Sequence, residues 1–277
     1  MALNPAALVA KPPIETLHKL SKEDVILYGL GVGASELPFL YEKGLKVLPT
    51  MAFTMATPGF FWPEPEYDVD WRRILHGESY ARIHKPLPTS GNLVGRTTFG
   101  PVYDKGDKGA IVYQNREIFT ENGELVASIR SGSFLRGDGG NGGTADSQPA
   151  PHPIPARPAT AIIDMATAET QALIYRLSGD MNPLHADPEI AADGGFPRPI
   201  LHGLCTLGVA FRAVLAELCD NEPERVKALG ARFASPVYPG ETIRVEIWSD
   251  GDHHGSFRAS IPDRDVIVLN NGLVEFA

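Results

Sequence analysis

The sequence predicts an α+β fold built from two similar halves, each an antiparallel β-sheet wrapped about one central helix. Three observations carry that expectation. A Gly- and Pro-rich stretch divides the chain near its middle, β-rich runs punctuated by turn residues follow one another in both halves, and residues 203–218 (GLCTLGVAFRAVLAEL) read as a long helix apolar enough to be buried.

The dividing stretch runs from Arg136 to Thr160, where repeated Gly and Pro deny continuity to both helix and sheet. It separates an N-terminal domain at 1–136 from a C-terminal domain at 161–277, with 137–160 as linker. The chain has 277 residues, of which 43% are hydrophobic and 21% charged, enough for a substantial core in a globular protein.

A weak internal repeat relates the halves. Val25 to Gly33 can be laid on Ala172 to Asp180, matching Tyr28 with Tyr175 and Leu30 with Leu177. Ala81-Arg82 and Pro86 to Gly91 resemble Ala231-Arg232 and Pro236 to Gly240 at nearly the same offset. An ancient duplication explains both matches, and it places Gly33 where the second half has Asp180.

In the first half, strand candidates are Ser79 to Ile83, Asn92 to Phe99, Gly109 to Thr120 and Glu124 to Ser133. Its central helix is poor, because Thr50 to Pro65 contains Pro58, Gly59, Pro63 and Pro65. In the second half, Ala168 to Leu177 has helical apolar spacing and precedes the long helix. Strand candidates then follow at Ala231 to Phe233, Thr242 to Trp248, Gly255 to Ile261 and Asp265 to Leu269.

Composition narrows the function classes. A net charge of −9 argues against a nucleic-acid partner. Cys205 and Cys219 lie in the apolar helix and are expected as buried free thiols in a reducing compartment. The opening residues MALNPAALVAKPPIETL have no basic leader and are interrupted by Pro, so no signal peptide and no membrane partner are expected. Val274 to Ala277 is not a Ser-Lys-Leu address, and the expected location is cytoplasmic.

The chemistry-bearing segment is Tyr175 to His185, YRLSGDMNPLH, followed by Pro199 to Thr206, PILHGLCT. Gly179 breaks the preceding helix and Pro183 steers Asn182 away from helical geometry, so a shaped turn aims Asp180, Asn182 and His185 into one place. A carboxylate beside an imidazole can hold a water, take one of its protons and return a proton to a neighbouring carbon. Asn182 could fix the water's orientation. Gly203, at a helix start and lacking a Cβ, can offer its N–H to a developing oxyanion. Taken singly, Asp180 is better explained as a helix-terminal or turn cap and His185 as a surface or core histidine; the joint pattern favours catalysis.

These segments, SGDMNPLH and PILHGLCTLG, resemble the hydratase 2 signature of the MaoC-like family, R-specific enoyl-CoA hydratases. Leu75 to Glu78, His84 to Pro88, Asp104 to Gly106 and Gly139 to Gly143 resemble the N-terminal half of the same enzymes, so nearly the whole chain is covered. The resemblance implies a double hot-dog fold whose second repeat carries catalysis while the first makes room for an acyl chain. It also implies a homodimer, an acyl-CoA thioester substrate and no cofactor or metal. Asp180 and His185 match the family's catalytic pair, Asn182 its supporting amide and Gly203 its oxyanion donor, with Met181, Pro183, Leu184 and Phe233 along the substrate. Two departures stand out: the family's HGEQ is His76-Gly77-Glu78-Ser79 here, and its GGFGG is Gly139-Gly140-Asn141-Gly142-Gly143.

The implied reaction is reversible hydration of a trans-2-enoyl-CoA to the (3R)-3-hydroxyacyl-CoA in fatty-acyl-CoA metabolism. The alternatives are a hot-dog acyl-CoA thioesterase and a non-catalytic acyl-CoA-binding protein. Gly29 to Ala34 imitates a dinucleotide motif but no βαβ pattern follows it, and Gly137 to Gly143 lacks the Lys-Ser/Thr of a phosphate loop. His253 and His254 lie in a polar loop and are expected to be solvated. Glu78, after a His-Gly pair, is either a third acid or a buried structural carboxylate paired with a neighbouring arginine, and the structural role is favoured.

Overall fold

The computed structural model describes residues 3–251 and 253–277; Met1 and Ala2, which begin the N-terminal stretch, and Asp252 lie outside the described residues. In chain order the first half contains α1 (Pro5–Val9), β1 (Ile14–Leu20), α2 (Lys22–Gly31), β2 (Ile74–Ile83), β3 (Gly91–Asp104), β4 (Ala110–Thr120) and β5 (Leu125–Leu135). The second contains β6 (Ala161–Ala166), α3 (Gln171–Tyr175), α4 (Pro188–Asp193), α5 (Gly203–Cys219), β7 (Val226–Phe233), β8 (Thr242–Ser249), β9 (His254–Ile261) and β10 (Val266–Phe276). Neither helix nor strand occupies the span between β5 and β6.

All ten strands join one antiparallel sheet in the order β1-β3-β4-β5-β2-β7-β10-β9-β8-β6. The order reads the same from either end once each strand is replaced by its counterpart, so a pseudo-dyad crosses the central β2–β7 seam. There Tyr80 pairs with Gly230, at the same spacing that relates Ala81 to Ala231 in the sequence repeat. Each half of the sheet curls about its own centre, and the whole is a double hot-dog fold.

Helix α5 fills the second centre. Leu207, Val209, Ala210, Phe211, Val214 and Leu215 are all buried, and a fully buried side chain of this kind contributes roughly 1.5–3 kcal/mol. Proline denies the first half an equivalent: residues 49–53 form a single 3₁₀ stretch, and Phe53, Thr57, Gly59, Phe60 and Trp62 line an open cavity.

Helices α2 and α3, the segments matched in the repeat, pack against each other, with the Tyr28 and Tyr175 rings 5.9 Å apart. A Cβ on Gly31 would stand 3.2 Å from the Tyr175 Cα, so this glycine serves close helix packing rather than a nucleotide. Helix α3 is shorter than the expected Ala168–Leu177 because its end tightens into a 3₁₀ turn at Arg176–Ser178, and Gly179 stops it with φ +112°.

Strands β1 and β6 had no strong sequence signal. Both are sheet edges with alternating half-exposed faces, and Leu17 and Ile162 point outward. Strand β10 runs past the expected end at Leu269 because a bulge absorbs the polar Asn270-Asn271-Gly272, with Asn271 at φ +56°. Cys205 and Cys219 are buried and unpaired. Among the described residues, no helix is long and apolar enough to cross a membrane.

Candidate active site

The turn after Gly179 folds as its residues dictate. Pro183 opens a 3₁₀ turn, Pro183–His185, for which Asn182 is the N-cap: its Oδ1 accepts from Leu184 N at 3.1 Å, and its own N–H donates to Asp180 Oδ1 at 3.3 Å. With Oδ1 engaged, the Asn182 amide NH₂ is the group left to act outside the turn.

His185 is buried, and its Nδ1 lies 2.8 Å from Ile200 O. A carbonyl only accepts, so Nδ1 carries the proton and Nε2 presents a lone pair. Burial lowers the His185 pKa, against the opposing pull of Asp180, which keeps this ring neutral. His202 stacks on it with ring centroids 3.6 Å apart, donates from Nε2 to Asp180 O at 3.1 Å, and leaves Nδ1 buried without a partner. Burial and the adjacent His185 push the His202 pKa down as well.

Asp180, His185 and His202 bring ligating atoms within 4.8 Å of one another. The stack argues against a shared metal ion: zinc sits ~2.0–2.1 Å from an imidazole nitrogen and in the ring plane, and an ion shared by two stacked rings would lie well out of both planes.

Gly203 is the first residue of α5, and no side chain caps that helix end. Its N–H therefore keeps the free donor and the positive dipole end of a 17-residue helix. A Cβ there would meet the Phe233 ring at 3.1 Å.

These groups border one cavity of about 500 Å³ between the halves. Asp180, Asn182, Leu184, His185, Gly203 and Phe233 all line it. Met181 and Pro183 do not, and Met181 is 55% exposed. A larger hollow of about 780 Å³ on the outer face of the β2–β7 seam contains none of the residues expected at the site.

Three residues at the site, two of which line the cavity, escaped the sequence reading. His202 was passed over for the glycine beside it, although His-Gly at a helix start was visible. His76 packs on Phe233 with centroids 4.7 Å apart, contacts Ser79 Oγ at 2.7 Å and has its pKa pushed down to about 4 by burial. Arg116 also lines the cavity, and nothing in the sequence of β4 marks its inward face as special. Glu78 takes the structural role expected: Arg232 Nε lies 3.0 Å from it and Tyr113 donates to it at 2.5 Å. His253 and His254 are exposed.

In the position equivalent to Asp180, Gly33 has φ +72° and no acid. The molecule is thus a double hot-dog protein in which, among the described residues, the cluster of Asp180, His185 and His202 lies in the second repeat. Family models match both halves: residues 18–137 match the MFE-2 hydratase 2 N-terminal domain and 151–266 the MaoC like domain. The chain is 38% identical to the peroxisomal enoyl-CoA hydratase 2 of Arabidopsis thaliana, over 96% of this chain and 93% of that protein. It is 41% identical to the peroxisomal multifunctional enzyme type 2 of Drosophila melanogaster, covering 95% of this chain but only 46% of that longer protein. The crystal structure of a MaoC-like dehydratase from Phytophthora capsici superposes with a TM-score of 0.89 at 36% identity, over 98% of this chain and 97% of that one. The chain belongs to the MaoC-like, hydratase 2 family.

Proposed function

We propose that this protein is a hydro-lyase of fatty-acyl-CoA metabolism that reversibly hydrates a trans-2-enoyl-CoA to the (3R)-3-hydroxyacyl-CoA. The observation that carries the reading is the convergence of Asp180, the bare Nε2 of His185 and the uncapped N–H of Gly203 on one cavity. The names of the Arabidopsis and Drosophila relatives support the same chemistry.

Asp180 and His185 Nε2 each accept a hydrogen bond from one water, and the Asn182 amide donates to its oxygen. The water oxygen attacks C3, the proton it loses passes to the pair, and Asp180 delivers a proton to C2. The Gly203 N–H stabilises the negative charge that gathers on the thioester oxygen between these events. Leu184 and Phe233 flank the acyl chain; Met181 and Pro183 act through the shape of the turn. Water addition is redox-neutral overall, and the mechanism as proposed routes no step through a metal or redox cofactor.

Hydration is read as ultraviolet loss of the enoyl-thioester chromophore. Asp180→Asn and His185→Gln should each lower the rate by about 10²–10⁴-fold with the fold intact. Release of free thiol without chromophore loss would identify a thioesterase instead, and an S product on chiral analysis would refute the stereochemical assignment. Light scattering tests the homodimer that the family resemblance implies. Both named relatives are called peroxisomal, so cell fractionation decides whether this chain is cytoplasmic, as its sequence suggests.

A further inference from the structure

Arg116 projects from the inner face of β4 into the part of the cavity that the first repeat contributes. Its Nη2 donates to Ala52 O at 3.2 Å and Phe53 O at 2.7 Å, on the 3₁₀ stretch that stands in for a central helix. Its Nε is buried with no partner. No carboxylate among the described residues offsets the charge, and burial alone pushes the guanidinium down to about 10. Arg212, Arg232, Arg258 and Arg264 each hold a carboxylate at hydrogen-bonding distance, although the Nε atoms of Arg176 and Arg212 are also buried without a partner.

The wall beside Arg116 is polar too. Gln114 Nε2 donates to Ser133 Oγ at 3.0 Å, and Ser131 bonds Ser79 at 2.9 Å, on strands directly paired with β4 or with each other. Ser79 is the position at which HGEQ becomes HGES. Phe53, Phe60 and Trp62 line the same cavity and suit methylene groups. A methyl-ended chain drawn into this space would strip water from the guanidinium and hydroxyls and return nothing. A carboxylate would accept from both.

We propose that the cavity takes an acyl chain ending in a carboxylate, which pairs with Arg116, so that the substrates are carboxyl-terminated enoyl-CoA thioesters. The proposal rests on the acyl-CoA reading above but can fail separately from it.

Binding is measured by calorimetry with saturated CoA thioesters of graded length, in matched pairs ending in methyl or carboxylate. At one length or more, the carboxylate form should bind at least ~10-fold tighter, as a charge-assisted pair provides. Arg116→Gln should abolish that preference while leaving the methyl-ended ligand within about threefold, and Arg116→Lys should retain part of it. A guanidinium that merely braces the 3₁₀ stretch would weaken both ligands alike. Equal or tighter binding of the methyl-ended chain at every length, or parallel loss in Arg116→Gln, overturns the proposal. Hydration of a short enoyl thioester, run alongside, tests the reaction independently of the tail.

Discussion

Acidification should unfold this protein through its buried histidines. In the folded chain burial pushes His76 down to about 4, and burial with the adjacent His185 pushes His202 well below the 6.5 of a free imidazole. Above pH 6.5 both states are neutral and stability is complete. As pH falls below 6.5 the unfolded chain takes up protons that the folded chain refuses, and stability is lost until the folded values are reached. Each of the two groups then loses 1.36 kcal/mol per pH unit, or about 2 kcal/mol by pH 5, which is about 4 kcal/mol for the pair. That is a large part of the ~5–15 kcal/mol typical of a domain. Urea unfolding followed by tryptophan fluorescence at pH 7.5 and 5.0, at constant ionic strength, measures the difference. His202→Gln should remove about 2 kcal/mol of the pH dependence while its amide can still donate to Asp180 O. A wild-type stability that changes by less than ~1 kcal/mol, or a His202→Gln slope equal to wild type, refutes the argument that these rings are held neutral by burial.

Two further substitutions test the packing that supports the site. Glu78→Gln removes the carboxylate that holds Arg232 and receives Tyr113; with Arg232 partly solvated, the expected loss is about 2 kcal/mol, below the full cost of breaking a buried pair, and unchanged urea unfolding would contradict it. Gly208→Ala places a Cβ 2.4 Å from Val32 Cγ1 and 3.2 Å from Tyr28 OH, so α2 and α5 must separate; overpacking of this kind costs about 1–3 kcal/mol, and a neutral melting temperature would show that the contact yields freely.

The turn at Asp180 was legible because its instructions are local. Gly179 ends a helix, Pro183 fixes the backbone after Asn182, and Asn182 caps the turn that carries His185, so residue order alone placed three polar side chains together. Helix α5 and the central strands were legible because burial imposes a period on their residues. The edge strands β1 and β6 were not, because one face of each meets solvent and the apolar pattern is broken there.

The sequence by itself therefore determined the two halves, the buried helix, the Asp180–Asn182–His185 turn and the missing acid at Gly33. Tertiary structure alone decided that His202 stacks on His185, that His76 reaches Phe233 across the seam, and that Arg116 faces the cavity without a counter-ion among the described residues. All three depend on residues distant along the chain. Which inward-facing side chain ends up paired, stacked or solitary depends on how the strands register and on what fills the centre of each repeat. In the first repeat proline removed the filling helix, and the space it left is where Arg116 stands.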